Sequence, residues 1–509
     1  MKKFIYSLLI AAATVFAATS CSKEPEEPKI VPPDIEEVSG IETDYLRGLH
    51  EYLEITPQVD LSNDNEEGVA YEWNIGYKTV GTEKTLVFKC DELGDFNGYF
   101  KASSETGAKI IDFTLRVTSP YDKGLLLLSE TSEGAMLSFK RLDIMETPVS
   151  PYAFKDNNPT LSLSKTALAL CWKGEGITSP NVASLTNEDY EVIVSTGNPT
   201  KVYALNTDDM KVKNEITYDG AGEFHPNCIH CPLGVQEQLW QGSLYFVGNG
   251  RDYIMTPERT FIDASMSEIL PDGAKISDHV CTLITEFDDR VRVYFNTTTK
   301  KLLYASSLFA FDMEEGSTVC DGEPMNLLAC DGTYYNNRYD PANVMLVSGN
   351  GNSVKVYRFS TAAGIGDTEE LLGEIDATGN ILPTSATGVN PIKPMLYYSK
   401  GSDIYRLNYD GGNFDTTPYI SLGGNFEVKQ IIFNRFDANT VYIAANDLDE
   451  EGEMKAAIFI YDVSDNLTAK KLFEDRKVGG SVKQLIYKGN GKEYENIAAS
   501  KSILKKLRR

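Results

Sequence analysis

The sequence predicts an all-β protein: a small β-sandwich followed by a β-propeller of about seven blades. Three observations carry that expectation. Seven stretches between residues 121 and 491 repeat one pattern, an apolar strand, a turn of Gly, Asn or Asp, and a second strand often carrying Tyr. The hairpins begin near Gly124, Glu191, Leu244, Val291, Val344, Met395 and Val441, in steps of 67, 53, 47, 53, 51 and 46 residues. A four-stranded propeller blade takes about 40–50 residues. Finally, Tyr (28) and Gly (40) are plentiful, as strand-and-turn proteins require, and no long amphipathic helical pattern points to an α/β enzyme fold.

At the N-terminus, Lys2 and Lys3 precede an apolar stretch from Phe4 to Ala18, and Ala18-Thr19-Ser20 lead into Cys21. These are the three parts of an export signal, so residues 1–20 read as a signal peptide. A cysteine directly after small residues fits the bacterial lipobox, in which Cys21 is acylated and becomes the new N-terminus. Residues 21–34 open with Ser22-Lys23-Glu24-Pro25-Glu26-Glu27-Pro28, too polar and proline-rich to pack, and read as a flexible acidic tether. The run resembles the acidic signal by which Bacteroidota send lipoproteins to the cell surface. That implies an outer-membrane protein facing the exterior; a plain linker on a periplasm-facing lipoprotein is the alternative.

Residues 35–120 carry short strands at turn-punctuated intervals: "VAYEWNIG" (69–76), "KTLVFKC" (84–90), "NGYFKASSE" (97–105) and "KIIDFTLRVT" (109–118). Trp73 falls where immunoglobulin-like and PKD domains keep a buried aromatic, and Gly98 reads as a turn glycine. The propeller is expected over 121–495. A single blade cannot bury both its faces, so blades stack until the ring shuts and exposed edges disappear. "SVKQLIYKGNG" (481–491) then completes the first or last blade. A stack of β-sandwiches is the alternative architecture. Residues 496–509 form a basic tail.

The lipidated Cys21, the passage "YEW…GYF…LRVTSPYDKGLLLLSE" across residues 71–130 and the acidic remainder together resemble the PKD-like family of Bacteroidota lipoproteins. The resemblance covers nearly the whole mature chain. It implies a PKD/Ig-like domain at the N-terminus and a place in surface nutrient uptake, beside a TonB-dependent transporter and its partner lipoprotein. It supplies no catalytic or binding residues.

Charge and composition exclude some partners. The formal net charge is −26, and loss of Lys2 and Lys3 with the leader takes it to −28. Bulk electrostatics therefore oppose binding to a phosphate backbone, and no nucleic acid is expected. After Cys21 seven cysteines remain, an odd number that cannot pair completely within one chain.

Several stretches could carry chemistry. In "HPNCIHCP" (225–232), His225, Cys228, His230 and Cys231 bring soft donors together. Their spacing matches no standard zinc finger, and neighbouring residues on a strand point to opposite faces. A blade-connecting loop with buried or disulfide-paired cysteines is the favoured reading. "NDLDEEGE" (446–453) echoes an EF-hand from Asp447, but the twelfth position is Ile458, where the loop needs a bidentate Glu. A solvated hairpin tip is expected there.

"CDGTYYNNRYDPAN" (330–343) is the better binding candidate. Tyr334, Tyr335 and Tyr339 offer flat stacking faces, while Asn336, Asn337 and Arg338 offer hydrogen-bonding groups, a combination suited to sugars. Trp172 and Trp240 are weaker candidates on the same logic. Neither an H-E-x-x-H helix nor a G-x-S-x-G elbow occurs, and no cofactor is expected. The expectation is a non-catalytic, membrane-anchored binding or scaffold protein for a glycan or peptide. The alternative is a propeller glycosidase or polysaccharide lyase working through carboxylates.

Overall fold

The structure is a computed structural model. It describes residues 32–63, 66–173, 190–220, 223–230, 244–256, 259–262, 275–283, 291–306, 313–330, 342–361, 369–434 and 437–489. Cys21, Trp240, Cys231, the loop carrying Tyr334 to Tyr339 and the basic tail lie outside the described residues. The chain divides into two compact units between Thr118 and Ser119.

In the first unit a five-stranded sheet runs in the order Asp44–Gly48, Ala108–Thr118, Gly94–Ser103, Ala70–Ile75, Lys78–Gly81. Its first pair is parallel, with Asp44 opposite Thr114. A separate ladder, Tyr52–Ile55 with Leu86–Lys89, contributes Leu53, Ile55 and Leu86 to the same core. Alternation along Ala108–Thr118 buries Phe113, Leu115 and Val117 and exposes the residues between them, as a strand with one wet face requires. Trp73 is fully buried, its ring 4.5 Å from that of Phe100, and its Nε1 donates to the Glu83 carbonyl at 3.0 Å. Gly98 is not a turn residue. It lies within the strand Gly94–Ser103, where a Cβ would come within 2.5 Å of the Phe113 ring, so close packing accounts for the glycine.

The second unit is the propeller, with seven blade sheets among the described residues. All seven expected hairpins are present, as the two middle strands of the blades. Gly124–Thr131 pairs with Gly134–Arg141 in the first blade, and Thr440–Asp447 with Ala456–Asp462 in the seventh. Their apolar runs are continuous because a blade is covered on both faces. Leu125 to Leu128, for example, are all fully buried. The tight turns use left-handed residues, Asn249 (φ 56°) followed by Gly250 (φ 79°) in the third blade, a conformation that matches strand twist in two-residue hairpins.

The innermost strands touch one another in a closed circle: Ser481–Lys488, Thr166–Trp172, Cys228–His230, Ile276–Leu283, Glu323–Ala329, Thr387–Val389, Phe426–Phe433 and back to the first. Closure is made by the end of the chain. Ser481–Lys488 pairs antiparallel with Gly124–Thr131, placing Leu485 opposite Leu127, and so becomes the innermost strand of the first blade. Lys488 is buried, and its Nζ donates to the carbonyls of Tyr121 (2.5 Å) and Asp122 (2.8 Å).

Several inner strands are bulged, and in the first, fifth and seventh blades the residue after the bulge braces the next blade. Gln484 accepts a hydrogen bond from the backbone N–H of Leu170 at 2.7 Å, and Gln430 accepts one from that of Leu485. Asn326 donates to the Thr387 carbonyl at 3.1 Å. Ala169 holds this place in the second blade, and a methyl group can make no such bond.

In each antiparallel blade the second–third hairpin and the link to the next blade lie at one end. The first–second and third–fourth connections lie at the other. Tyr334 to Tyr339 lie in the sequence between Glu323–Ala329 and Ala342–Asn350, outside the described residues.

Candidate functional site

At the hairpin end, a cleft of about 570 Å³ opens between the first and seventh blades and the link from the first blade to the second. The link contains the short helix Ala153–Asn157. Asn158 pins it to the second blade: Nδ2 donates to the carbonyls of Phe154 and Met210, both at 2.9 Å, and Oδ1 accepts from the N–H of Val212 at 2.8 Å. The chain then passes so close to the first hairpin that Ala135 donates its N–H to the Ser164 carbonyl at 2.9 Å. A Cβ on Gly134 (φ 139°) would lie 3.2 Å from that same carbonyl. Glycine there supplies both the conformation and the space.

The cleft has an apolar interior and a polar rim. Met136, Leu137, Phe154, Leu163 and Met454 line it, and Tyr152 presents its ring while 48% exposed. Glu133 and Glu453 bring two carboxylates to the lining, and Glu453 Oε2 accepts the Ser132 N–H at 3.3 Å. Lys155 turns its Nζ back on the carbonyls of Pro159 (2.9 Å) and Leu161 (3.3 Å). This leaves an acidic rim over a greasy floor with one aromatic face. Such a surface suits a ligand with both apolar and hydrogen-bonding faces.

The cleft was not among the stretches singled out from the sequence. Its lining comes from residues 131–137, 151–163 and 453–454, far apart along the chain. Its one trace in the sequence is the long first step of 67 residues between hairpins, part of which is the link that walls it.

The soft-donor stretch is part of a packed blade. His225 precedes the inner strand Cys228–His230, and its carbonyl lies where a Cβ on Gly248 would sit, 1.9 Å away. His230 stacks on Tyr245 at 5.2 Å, and burial beside the Arg292 guanidinium holds its pKa well below the usual histidine value. Among the described residues no three His, Cys, Asp or Glu side chains gather as a metal site. Cys90 and Cys320 are buried free thiols, and burial pushes the Cys320 thiol up to about 12, which keeps it protonated and unreactive.

Two other stretches are settled by their surroundings. Trp172, a weaker candidate for a ligand surface, is 1% exposed and part of the core. The EF-hand-like acids sit at a hairpin, bound to basic or amide groups: Asp447 to Arg476 at 3.4 Å, and Asp449 to Asn425 at 3.0 Å.

One polar group is wholly enclosed between the third and fourth blades. Arg292 Nη1 lies 3.3 Å from Asp252 Oδ2, the Tyr294 hydroxyl donates to the same oxygen, and the Arg292 guanidinium stands 3.9 Å over the Tyr245 ring. Burial pushes the Asp252 carboxyl up to about 6, against the opposing pull of Arg292 and Tyr294. With Arg292, Asp252 and Tyr294 shut away from solvent, the group acts on packing rather than on a substrate.

No family model matches the chain, and no curated protein matches it in sequence. Among solved structures, a quinoprotein alcohol dehydrogenase-like protein of Bacteroides thetaiotaomicron is 14% identical, with 90% of this chain and 99% of that one covered and a TM-score of 0.44. AztD from Citrobacter koseri is 12% identical over 83% of this chain and 99% of its own, with a TM-score of 0.36. The WD40 domain of SCAP from fission yeast is 10% identical over 65% and 76%, with a TM-score of 0.33. These likenesses speak for no ligand or activity. The chain is an all-β protein whose larger unit is a β-propeller.

Proposed function

We propose that the protein is an outer-membrane lipoprotein, anchored through Cys21 and facing the cell exterior, that captures a glycan or peptide for a nutrient-uptake system. Its role in this reading is non-catalytic. Anchoring holds the ligand beside an importer of the TonB-dependent kind and raises its local concentration there. The observation that supports capture is the cleft between the first and seventh blades, where the half-exposed Tyr152 ring stands over an apolar floor with Glu133 and Glu453 at its sides. The leader and Cys21 support the location.

Thermal unfolding against a panel of glycans and peptides tests the reading. A ligand that binds only the folded state raises the midpoint by mass action. The expected result is a shift with one ligand class that Tyr152→Ala removes. Shifts that persist in Tyr152→Ala place capture elsewhere, and no shift with any ligand leaves a scaffold role.

The two cleft carboxylates favour a second reading, glycoside cleavage by paired acids. Release of reducing ends or unsaturated products from a polysaccharide, lost in Glu453→Gln, would replace the first reading.

A further inference from the structure

Away from the cleft, at the opposite end of the second and third blades, three cationic side chains converge on one buried carboxylate. Glu191 opens the second strand of its blade, and its side chain is 3% exposed. Lys213 Nζ lies 3.0 Å from Glu191 Oε1, and Arg259 Nη2 hydrogen-bonds Oε2. Lys173 Nζ stands 3.8 Å from the same Oε2, close enough to pair and too far for a hydrogen bond. Lys173 is drawn in at the end of the inner strand, only 12% exposed.

Among the described residues three cations gather on this one carboxylate, in a chain whose formal net charge is −26. An ion pair needs one partner, and like charges held this close repel one another. Donor capacity is also left over. Arg259 Nη1 is buried without a hydrogen-bond partner, and Lys173 is beyond hydrogen-bond reach of Glu191. Lys173 and Arg259 stand on the same oxygen, so their spare donors are neighbours. Arg259 is held in this position on a left-handed backbone (φ 65°), a conformation uncommon outside glycine.

We propose that Lys173, Lys213 and Arg259 form a binding site for an oxyanion, a sulfate or phosphate group, seated beside Glu191 at this end of the second and third blades. Arginine supplies directed N–H donors for a tetrahedral oxyanion and the lysines supply point charges. The group belongs either to a free ion or to an ester carried on a polymer.

Isothermal titration of the full chain with inorganic phosphate, in chloride of matched ionic strength, tests the site. The expected result is saturable binding of one ion, at least tenfold weaker in Arg259→Gln and in Lys173→Gln. Glu191→Gln keeps the shape and removes the competing charge, so it is expected to bind several-fold tighter. It also keeps the test decisive should Arg259→Gln lose the fold. Titration with a sulfated polysaccharide and its desulfated form then separates the sources. Preference for the sulfated polymer assigns an ester, and binding of the inorganic ion alone assigns a free anion. Absence of saturable binding to either probe, or equal affinity in wild type and all three variants, overturns the proposal.

Discussion

The two faces of the first blade and the contact between the third and fourth blades meet one packing requirement with different chemistry. In the strand Gly124–Thr131, successive leucines point to opposite sides. Leu126 and Leu128 enter the core shared with the second blade, while Leu125 and Leu127 enter the one shared with the seventh. Between the third and fourth blades, Arg292, Asp252 and Tyr294 are buried among the apolar residues. The leucine faces can lose one member and keep the rest of their contacts. The ion pair has no such reserve, because removing one charge strands the other in a dry interior.

Arg292→Met should therefore have the largest effect. It leaves Asp252 buried without its counter-charge, and a loss of about 3–5 kcal/mol is expected, read from the denaturation midpoint in urea. Pairing it with Asp252→Leu should restore most of that loss. If the double variant is as unstable as the single one, the contrast between the two interfaces fails. Leu127→Ala should cost about 2–5 kcal/mol through the cavity it leaves, and a loss well below that range would show that the first blade collapses around the gap.

Gln484→Ala comes next. It deprives the Leu170 N–H of its partner and should cost about 1–3 kcal/mol. The same change at Gln430 should act alike, since both amides brace a neighbouring inner strand. Equal stability of wild type and Gln484→Ala in urea would mean that water satisfies the Leu170 N–H equally well.

The smallest effect is on pH dependence. Burial lowers the Lys488 ammonium from its ordinary value of 10.5 to about 8, outweighing the pull of Asp208 and Asp122. Between pH 8 and 10.5 the unfolded chain then binds the proton that the folded chain has lost, so stability from this group rises with pH and is flat below 8. From pH 8 to 9 the gain is about 1 kcal/mol. Lys488→Met should flatten the wild-type slope by that amount in unfolding curves taken at the two pH values.

These interfaces also explain what the sequence discloses. The middle hairpins are legible because both faces of a blade are covered, which writes continuous apolar runs such as Leu125 to Leu128 around a turn. The inner strands are harder to read. Cys228–His230 is three residues long, and bulges at Lys483, Lys429 and Met325 break the alternation that marks a strand. Trp172, with Lys173 and Gly174 beside it, has a neighbourhood that hints at a surface, yet it ends a strand covered on both sides. Neither the cleft nor the Glu191 cluster is legible, because each assembles residues from separate segments. Glu453 meets the hairpin of the first blade through ring closure, and Arg259 meets Glu191 across the boundary between the second and third blades, contacts that no local pattern encodes.

Because the innermost strand of the first blade comes from the end of the chain, Lys488 reaches back across 367 residues to Tyr121. Gly124–Thr131 precedes its partner Ser481–Lys488 by nearly the whole propeller sequence, so until the two meet that strand has an open, strongly apolar edge. The ring cannot mature blade by blade into a finished product. Its locking step waits for Ser481–Lys488, and contacts this distant along the chain form slowly. Until Ser481–Lys488 docks the ring stays unsealed, and a chain without that strand leaves the apolar edge of Gly124–Thr131 uncovered.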